Sequence, residues 1–356
     1  MQSMSLLTAA TVDYVSQAVV TFKSARRHNS FQSFHIFVAD AVPESMTAIR
    51  EVLGRDAEWI HLFGPEDLGP AAPRYLQTFE YYNPFEVSNV AKYTGVLHVL
   101  KKPDAADACV YIDADTLFLG DIFPLIQTEA KTAVYLSPHL LGPLTGESEH
   151  EILVHGWINT GFSVFRRDNP KTFSILEWLI DRISHRGFCA PQLGMFVDQL
   201  WASSLPFIFR EHVTICRYAG LNVAYWNLRE RVLTMRGEEI LASGVPLLMF
   251  HFSGFLPKNP EKLSKHVNLG VEPGSILDKV CQIYRNELLS VESLRLGIQG
   301  LQAIPCSKEN LAKRMAACFK IHGEDLVKTI ARPGVFSTLD ARMAAASVRI
   351  RKIFSR

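Results

Sequence analysis

The sequence predicts an α/β fold in which helices flank a mostly parallel central sheet. The apolar run Met4–Ala10 precedes a segment with apolar residues at helical spacing, residues 13–27, and a second apolar run follows at residues 34–39. A strand, a helix and a strand in this order form a βαβ unit, whose two strands lie parallel. The chain has 356 residues, enough for one large domain with an appendage.

Alternation of strands and helices continues along the chain. Apolar runs predict strands at 59–63, 108–112, 134–137, 160–165, 213–216 and 247–251, and helical spacing predicts helices at 44–53, 86–100, 173–186 and 192–204. From about residue 275 the pattern changes to helical segments rich in Lys, Arg and Glu. We therefore expect one α/β domain over residues 1–270 and a helical C-terminal extension over residues 271–356.

Composition excludes several classes of protein. Charged residues make up 21% of the chain and the formal net charge is +1, so the basic excess typical of nucleic-acid binding is missing. The six cysteines have irregular spacing and form no CxxC pair, which favours free thiols in a reducing compartment. The N-terminus does not resemble a signal peptide, and no apolar run is long enough to span a membrane. We expect a cytoplasmic protein.

Two aspartates follow a predicted buried strand directly. Asp113 and Asp115 come after the apolar run 108–112, and ligands of open parallel sheets bind at the carboxyl ends of strands. Carboxylates near a core need a partner, and hard oxygen ligands suit Mg²⁺ or Mn²⁺ bound to phosphate oxygens. The alternative is that the pair serves a turn or a helix cap, as many such short motifs do.

A second informative stretch lies far down the chain, at residues 250–258. His251 ends an apolar run, and a neutral imidazole could complete a metal site with the two aspartates. Ser253 and Gly254 would allow the backbone to approach a phosphate closely. Lys258, Lys265 and His266 are the candidate cations for a diphosphate. A buried histidine without a ligand role is the alternative for His251.

Together these segments resemble a known family. Tyr111–Asp115, Asn159–Phe162, Val197–Gln199 and the His251-x-x-Gly254 pattern resemble the retaining GT-A glycosyltransferases of the glycosyltransferase family 8 kind. Segments 196–201, 222–228 and 251–266 are similar to a group of bacterial glycosyltransferases often encoded with surface polysaccharide genes. The resemblance covers roughly residues 4–270 and implies a GT-A (Rossmann-like) catalytic domain that transfers a sugar from a nucleotide diphosphate sugar.

The resemblance also implies roles for individual residues. It makes Asp113, Asp115 and His251 the metal ligands. It places Ala9, Thr11, Asp13 and Tyr14 around the base and ribose, Asn159 at the sugar or acceptor, and Asp198 and Gln199 under the reacting carbon of the donor sugar. The family spaces its lysine one place earlier than Lys258, which keeps Lys265 as a rival. Lys92 stands on the helix that usually supplies an arginine near the phosphates.

Aromatic residues suggest where a sugar binds. Tyr225 and Trp226 offer ring faces and Asn227 an amide, although tyrosine and tryptophan are equally typical of a core. With retention, Asp198 or Gln199 would stabilise the oxocarbenium-like centre; with inversion, Asp198 would be the general base. The sequence thus predicts a Mn²⁺- or Mg²⁺-dependent hexosyltransferase that uses a nucleotide sugar, with UDP as the expected nucleotide, and a glycan or glycolipid acceptor.

Two other functions fit parts of the sequence. A sugar-nucleotide nucleotidyltransferase would share the fold and the metal chemistry, but its first turn is usually glycine-rich, whereas residues 8–13 contain no glycine. A binding protein that keeps the fold without catalysis is the second alternative. The last fifteen residues, 342–356, are basic with interleaved apolar positions, which would suit peripheral contact with the inner face of a membrane.

Overall fold

A seven-stranded sheet organises the protein, as seen in a computed structural model that describes residues 3–126, 131–143 and 147–323. The strand order is β10-β6-β7-β4-β1-β2-β3. Strand β7 runs antiparallel to β4 and β6, and the other neighbours in the sheet are parallel. Its strands are β1 (Met4–Ala10), β2 (Ser33–Val38), β3 (Ile60–Phe63), β4 (Ala108–Ile112), β6 (Val134–Pro138), β7 (Ile158–Arg166) and β10 (Val213–Ile215).

Helices cover both faces of this sheet, which explains why its central strands are continuous apolar runs. All seven residues of β1 and all five of β4 are buried. The helices are α1 (Val15–His28), α2 (Pro43–Leu53), α3 (Ala72–Gln77), α4 (Pro84–Leu100), α5 (Glu147–His155), α6 (Lys171–Arg186), α7 (Gln199–Ile208), α8 (Ile276–Ser290), α9 (Glu292–Ile298) and α10 (Leu311–Ile321). The expected α/β architecture with helices at its C-terminal end is confirmed.

Three smaller sheets complete the described part of the chain. The one that matters for the site pairs β5 (Thr116–Phe118) with β14 (Met249–His251) in antiparallel fashion. The others are a hairpin of β8 (Cys189–Ala190) and β9 (Met195–Phe196), and a three-stranded sheet of β11 (Leu233–Arg236), β12 (Glu239–Ala242) and β13 (Val245–Pro246).

The sheet has a topological switch point at β1. The chain runs from β1 outward through β2 and β3 and then returns to place β4 on the other side of β1. In open α/β sheets, the crevice at the carboxyl ends of the strands at such a point receives ligands. Here the crevice opens between the turn after β1, which begins at Thr11, and the segment after β4, which begins at Asp113.

One predicted helix is only half right. The sequence suggests a helix over 192–204, whereas the structure has the β8–β9 hairpin first and begins α7 at Gln199. Gly194 and Val197 both have positive φ, 71° and 38°, which interrupts a helix at those positions. Asp198 is therefore the residue before the helix rather than part of it.

The helices beyond residue 270 share cores with the preceding residues. Val280 and Tyr284 of α8 and Leu294 of α9 belong to the apolar cluster on the α1 side of the sheet. Met315 and Phe319 of α10 belong to the cluster on the α4 side. The boundary at residue 270 remains a prediction about domain organisation, and the basic segment 342–356 lies outside the described residues.

Candidate active site

The two aspartates stand at the carboxyl end of the central strand β4. The backbone N–H of Asp113 donates to the carbonyl of Gly161 on neighbouring β7 at 3.0 Å. Thr116 then begins β5, and its side chain donates back to the carbonyl of Asp113 at 2.9 Å. This tight turn directs both carboxylates into the crevice between β4 and the turn after β1.

Strand pairing brings His251 to the aspartates from a distant part of the chain. In the β5–β14 pair, His251 lies opposite Thr116, and the N–H of Phe252 donates to the carbonyl of Asp115 at 2.8 Å. The His251 Nε2 atom lies 3.1 Å from Asp115 Oδ1 and 3.8 Å from Asp113 Oδ2. The three residues that the sequence suggests as metal ligands therefore converge.

This cluster fits a divalent cation. One ligand atom from each of Asp113, Asp115 and His251 lies within 4.8 Å of the others. Ligands around a common Mg²⁺ or Mn²⁺ at about 2.1 Å are separated by roughly 3.0–4.2 Å, so small side-chain adjustments suffice. Two carboxylates and one imidazole form a donor set typical of Mn²⁺ and other borderline divalent ions.

Asn222 fixes the orientation of the imidazole, and sequence reasoning did not identify it as a site residue. Its Oδ1 lies 3.1 Å from His251 Nδ1, which leaves Nε2 facing the aspartates. Its Nδ2 donates to Asn159 Oδ1 at 2.8 Å, and Asn159 Oδ1 also accepts from the N–H of Gly161. Only its place as the first residue of the motif segment 222–228 could have pointed to Asn222, because its role depends on a long-range contact.

Electrostatics couple the three candidate ligands. Burial lowers the pKa of His251, but the carboxylates of Asp115 and Asp113 outweigh it, and the net shift is upward. Burial likewise raises the pKa of Asp115, and the opposing effect of His251 makes the net shift downward. The site therefore favours a negative Asp115 beside a positive charge, which is the environment that a cation also satisfies.

A buried lysine connects the aspartate pair to Asp198. The Nζ atom of Lys92, on α4, donates to Asp198 Oδ2 at 2.9 Å and to Thr160 Oγ1 at 2.8 Å, and lies 3.8 Å from Asp113 Oδ1. Tyr93 also donates to Asp198 Oδ2, at 2.9 Å. Burial lowers the pKa of Lys92, but the carboxylates of Asp113 and Asp198 raise it and outweigh burial. The net shift of the Lys92 pKa is upward, so the lysine stays charged.

Asp198 is completely buried in this arrangement. Its exposed fraction is 0%, and within the described residues its second oxygen, Oδ1, has no hydrogen-bond partner. The neighbouring Gln199 is half-buried and opens α7, and its Oε1 atom has no partner there either. Asp198 Oδ1 belongs to the carboxylate that Lys92 binds, and a bound molecule or water would satisfy an unpartnered oxygen of this kind.

The turn after β1 forms the opposite wall of the crevice. The N–H of Val12 donates to Asp40 Oδ1 at 2.8 Å, which ties this turn to the end of β2. Ala9 is buried and Thr11 half-buried, whereas Asp13 and Tyr14 are exposed. Burial raises the pKa of Tyr14 and Asp115 adds to the shift, which places the phenol close to the candidate metal site.

The two candidate phosphate-binding lysines have different surroundings. Ser264 donates to the carbonyl of Ser253 at 2.7 Å and the N–H of Lys265 to the carbonyl of Gly254 at 2.8 Å, so residues 264–266 lie against the loop after His251. The pKa of Glu292, on α9, is lowered by Arg295 and to a smaller extent by Lys258. Lys258 therefore lies toward α9. Lys265 is thus joined more directly to the site.

Gly254 has a positive φ of 70°, and a Cβ atom there would meet the ring of His266 at 2.4 Å. A glycine is therefore required at this point by both the backbone conformation and the lack of space. Burial lowers the pKa of His266, and Asp115 opposes that shift, so the imidazole lies within electrostatic range of the aspartate. Sequence reasoning did not select His266 over the two lysines.

The aromatic segment 225–227 contributes in three different ways. The ring of Trp226 lies 5.1 Å from that of His251 at 86°, and Tyr225 lies 6.3 Å from His266. Asn227 is fully buried, and its side chain bonds to the backbone of Ala224 and Asn222 and to the carbonyl of His139. The two rings thus border the site, while the amide of Asn227 holds the loop together.

The comparisons with known proteins support this fold. No family model matches the chain. The galactosyltransferase LgtC, solved in complex with donor and acceptor sugar analogues, superimposes with a TM-score of 0.50 at 14% identity, over 81% of this chain and 96% of that one. An active-site mutant of LgtC also gives a TM-score of 0.50, at 15% identity and over the same shares of the two chains. The expected GT-A fold is confirmed by this likeness.

Two curated relatives come from Bacillus subtilis (strain 168), the uncharacterized proteins YfnF and YfnD. YfnF is 29% identical over 161 residues, 44% of this chain and 52% of that protein. YfnD is 22% identical over 232 residues, 64% of this chain and 71% of that protein. The match to YfnF spans about half the length of that protein. Within the described part of the chain, no helix combines the length and apolar character needed to cross a membrane.

Proposed function

We propose that this protein is a metal-dependent glycosyltransferase that moves a sugar from a nucleotide diphosphate sugar to a hydroxyl acceptor with retention of anomeric configuration. UDP is the expected nucleotide and Mn²⁺ or Mg²⁺ the expected ion. The convergence of Asp113, Asp115 and His251 at the switch point of a GT-A fold is the observation that carries the proposal. Solved glycosyltransferases of the same fold support the reaction class.

Different residues around the crevice contact different parts of the donor. The base and ribose bind at Ala9 and at the turn over residues 11–14, because this turn faces the switch point from the β1 side. Asp113, Asp115 and His251 would hold the divalent ion, which would supply positive charge to the diphosphate leaving group. Gly254 presents backbone without a side chain to the same diphosphate, together with Ser253, and Lys265 supplies positive charge in preference to Lys258.

Retention is favoured by the surroundings of Asp198. A general base must reach the acceptor hydroxyl, but this carboxylate is fully buried and bound by Lys92 and Tyr93. Asp198 therefore acts through Lys92, by holding its ammonium group at the site. Gln199, with its unpartnered carbonyl oxygen, is the residue we assign to the developing positive charge on the sugar. Asn159 contacts the sugar from the β7 side.

The test is a panel of nucleotide sugars assayed for hydrolysis and transfer with and without Mn²⁺. We expect one donor to be consumed only with metal, and Asp115→Ala to abolish the activity while the unfolding midpoint stays near that of the parent. Product anomers, followed by NMR, distinguish retention from inversion. Metal-independent turnover, or full activity of Asp115→Ala, would remove the basis of the proposal.

The same panel addresses the other functions. A nucleotidyltransferase would respond to a nucleoside triphosphate with a sugar phosphate, and a binding protein would be stabilised by a nucleotide sugar without consuming it. The first turn has no glycine to wrap a triphosphate, which makes the nucleotidyltransferase the weaker interpretation. A role in surface polysaccharide synthesis, at the inner face of the membrane, would agree with a glycan or glycolipid acceptor.

A further inference from the structure

An exposed tryptophan lies directly before the strand that carries Asn159, a residue of the candidate active site. Trp157 immediately precedes β7 and is 46% exposed. Its carbonyl accepts from the N–H of His139 at 2.9 Å, so the pairing of β7 with β6 continues to this residue. An extended chain rises about 3.3 Å per residue, which puts the Cα of Trp157 roughly 7 Å from that of Asn159.

The turn that presents Trp157 is fixed to the start of α7. Gly156 has a φ of 105°, and a Cβ atom there would lie 3.0 Å from the carbonyl oxygen of Gln199 and 2.8 Å from Ser203 Oγ. The N–H of Ile158 donates to the same hydroxyl at 3.1 Å. The residues on both sides of Trp157 therefore contact the helix whose first residue is Gln199, and the backbone of Trp157 has a defined position relative to it.

Contacts between aromatic rings connect this turn to His251 of the candidate metal site. His139, which bonds to the Trp157 backbone, lies 5.5 Å from the ring of Trp226, and that ring lies 5.1 Å from His251. On the other side of the opening, burial raises the pKa of Tyr225, and Glu151 of α5 adds to the shift. Glu151 of helix α5 therefore lies within electrostatic range of Tyr225.

We propose that Trp157 is the platform on which the acceptor binds, and that the acceptor is a glycoside whose terminal pyranose stacks on the indole. This inference rests on the proposed function. One face of many pyranoses presents polarised C–H groups, which an electron-rich aromatic face attracts while the hydroxyls stay free to bond elsewhere. Tryptophan is enriched at recognition surfaces because its large ring buries apolar area in a complex while its N–H group can still form a hydrogen bond.

The position of Trp157 indicates that it binds the acceptor and not the donor. The turn over residues 11–14 and the aspartates take the nucleotide part of the donor, at the β1 and β4 ends of the crevice. Trp157 lies on the far side, next to Gln199, which we assign to the reacting carbon. A sugar stacked on Trp157 therefore lies next to the anomeric centre rather than next to the diphosphate, where an attacking hydroxyl must be.

The experiment compares the parent with Trp157→Ala and Trp157→Phe, using the donor identified by the nucleotide-sugar panel. Methyl α- and β-glycosides of glucose, galactose and N-acetylglucosamine serve as acceptor probes, and hydrolysis of the donor by water is measured in parallel. Trp157→Ala should raise KM for the active glycoside about tenfold and leave KM for the donor and its hydrolysis near parental values. Trp157→Phe should restore most of the acceptor affinity because it keeps an aromatic face.

Phe207→Ala is the matched control. Phe207 is 80% exposed at the other end of α7, so its loss removes an aromatic ring without touching the opening. Unchanged acceptor KM in Trp157→Ala would overturn the inference, as would donor hydrolysis by the parent that none of the glycosides converts to transfer. Absence of any metal-dependent donor consumption by the parent would instead overturn the proposed function, and the acceptor inference with it.

Discussion

The Gly161→Ala substitution tests whether the position of His251 as a candidate metal ligand depends on the absence of a side chain at residue 161. Gly161 is on β7, and its carbonyl accepts from the N–H of Asp113. A Cβ atom added there would lie 2.5 Å from His251 Cε1, 2.8 Å from its Nδ1 and 2.9 Å from Asn159 Oδ1. Ordinary carbon contacts begin near 3.4 Å, so the imidazole would have to retreat by about 1 Å.

The imidazole has little freedom to make that movement. Asn222 holds Nδ1 at 3.1 Å, and the ring of Trp226 packs against it at 5.1 Å. Overpacking at such a site costs about 1–3 kcal/mol of folding stability. Since metal–ligand distances tolerate only about 0.2 Å, a displacement of about 1 Å removes the histidine from the first coordination sphere. We expect the affinity for Mn²⁺ to fall by at least about tenfold.

The measurement is a titration of Mn²⁺ in the presence of UDP, by calorimetry or by the electron paramagnetic resonance signal of free Mn²⁺. Gly297→Ala is the control: its added Cβ would lie 2.6 Å from Val52 Cγ1, between α9 and α2, which carry none of the candidate metal ligands. It introduces a comparable clash but should leave the Mn²⁺ affinity unchanged. Equal Mn²⁺ affinities for the parent and Gly161→Ala would refute the reasoning about ligand geometry.

Three further substitutions probe other contacts of the fold. Asn222→Gly keeps the positive φ of 56° and removes the acceptor of His251 Nδ1, so Mn²⁺ affinity should fall about tenfold in the same titration. Burial raises the pKa of Asp40 from 3.8 to about 6, so its ionisation costs the folded state about 3 kcal/mol once the pH exceeds 6. Asp40→Asn should therefore raise the free energy of unfolding at pH 7.5 by up to that amount and leave it nearly unchanged at pH 4. An equal gain in stability at both pH values would contradict the argument from the Asp40 pKa. Arg314 bonds to the fully buried Glu86, which also accepts from the backbone N–H groups of Asn83 and Cys189. Arg314→Met leaves Glu86 without its cation, and urea unfolding should show a loss of about 3 kcal/mol in stability. A loss below about 1 kcal/mol would mean that the two backbone N–H groups satisfy Glu86 alone.

Strands buried on both faces could be predicted from sequence almost to the residue. Met4–Ala10 agrees with β1, and the predicted 108–112 agrees with β4, because a continuous apolar run has no other favourable position in a fold whose sheet is covered on both sides. Helix α5 was not predicted, since Glu147–His155 carries no apolar stripe. The error at 192–204 has a local cause: the backbone there takes conformations that apolar spacing alone does not reveal.

The candidate site could be predicted only in part, for a related reason. Asp113 and Asp115 can be recognised because they end a buried strand, and His251 because it ends another. What the sequence does not show is the register of β5 against β14, which sets His251 opposite Thr116 and not one residue away. A slip of one position would turn the imidazole to the other face, so the site depends on long-range pairing.

Charge balance explains why Lys92 has to be buried beside these aspartates. Asp113, Asp115 and Asp198 bring three carboxylates into one region, and an unpaired carboxylate without water is costly. Lys92 sits between two of them, at 2.9 Å from Asp198 and 3.8 Å from Asp113. It neutralises Asp198, whereas Asp113 and Asp115 face the crevice with exposed fractions of 32% and 26%. The lysine therefore holds one acid in a structural role and leaves the other two for a cation, which is the division of roles that a metal-dependent transferase needs.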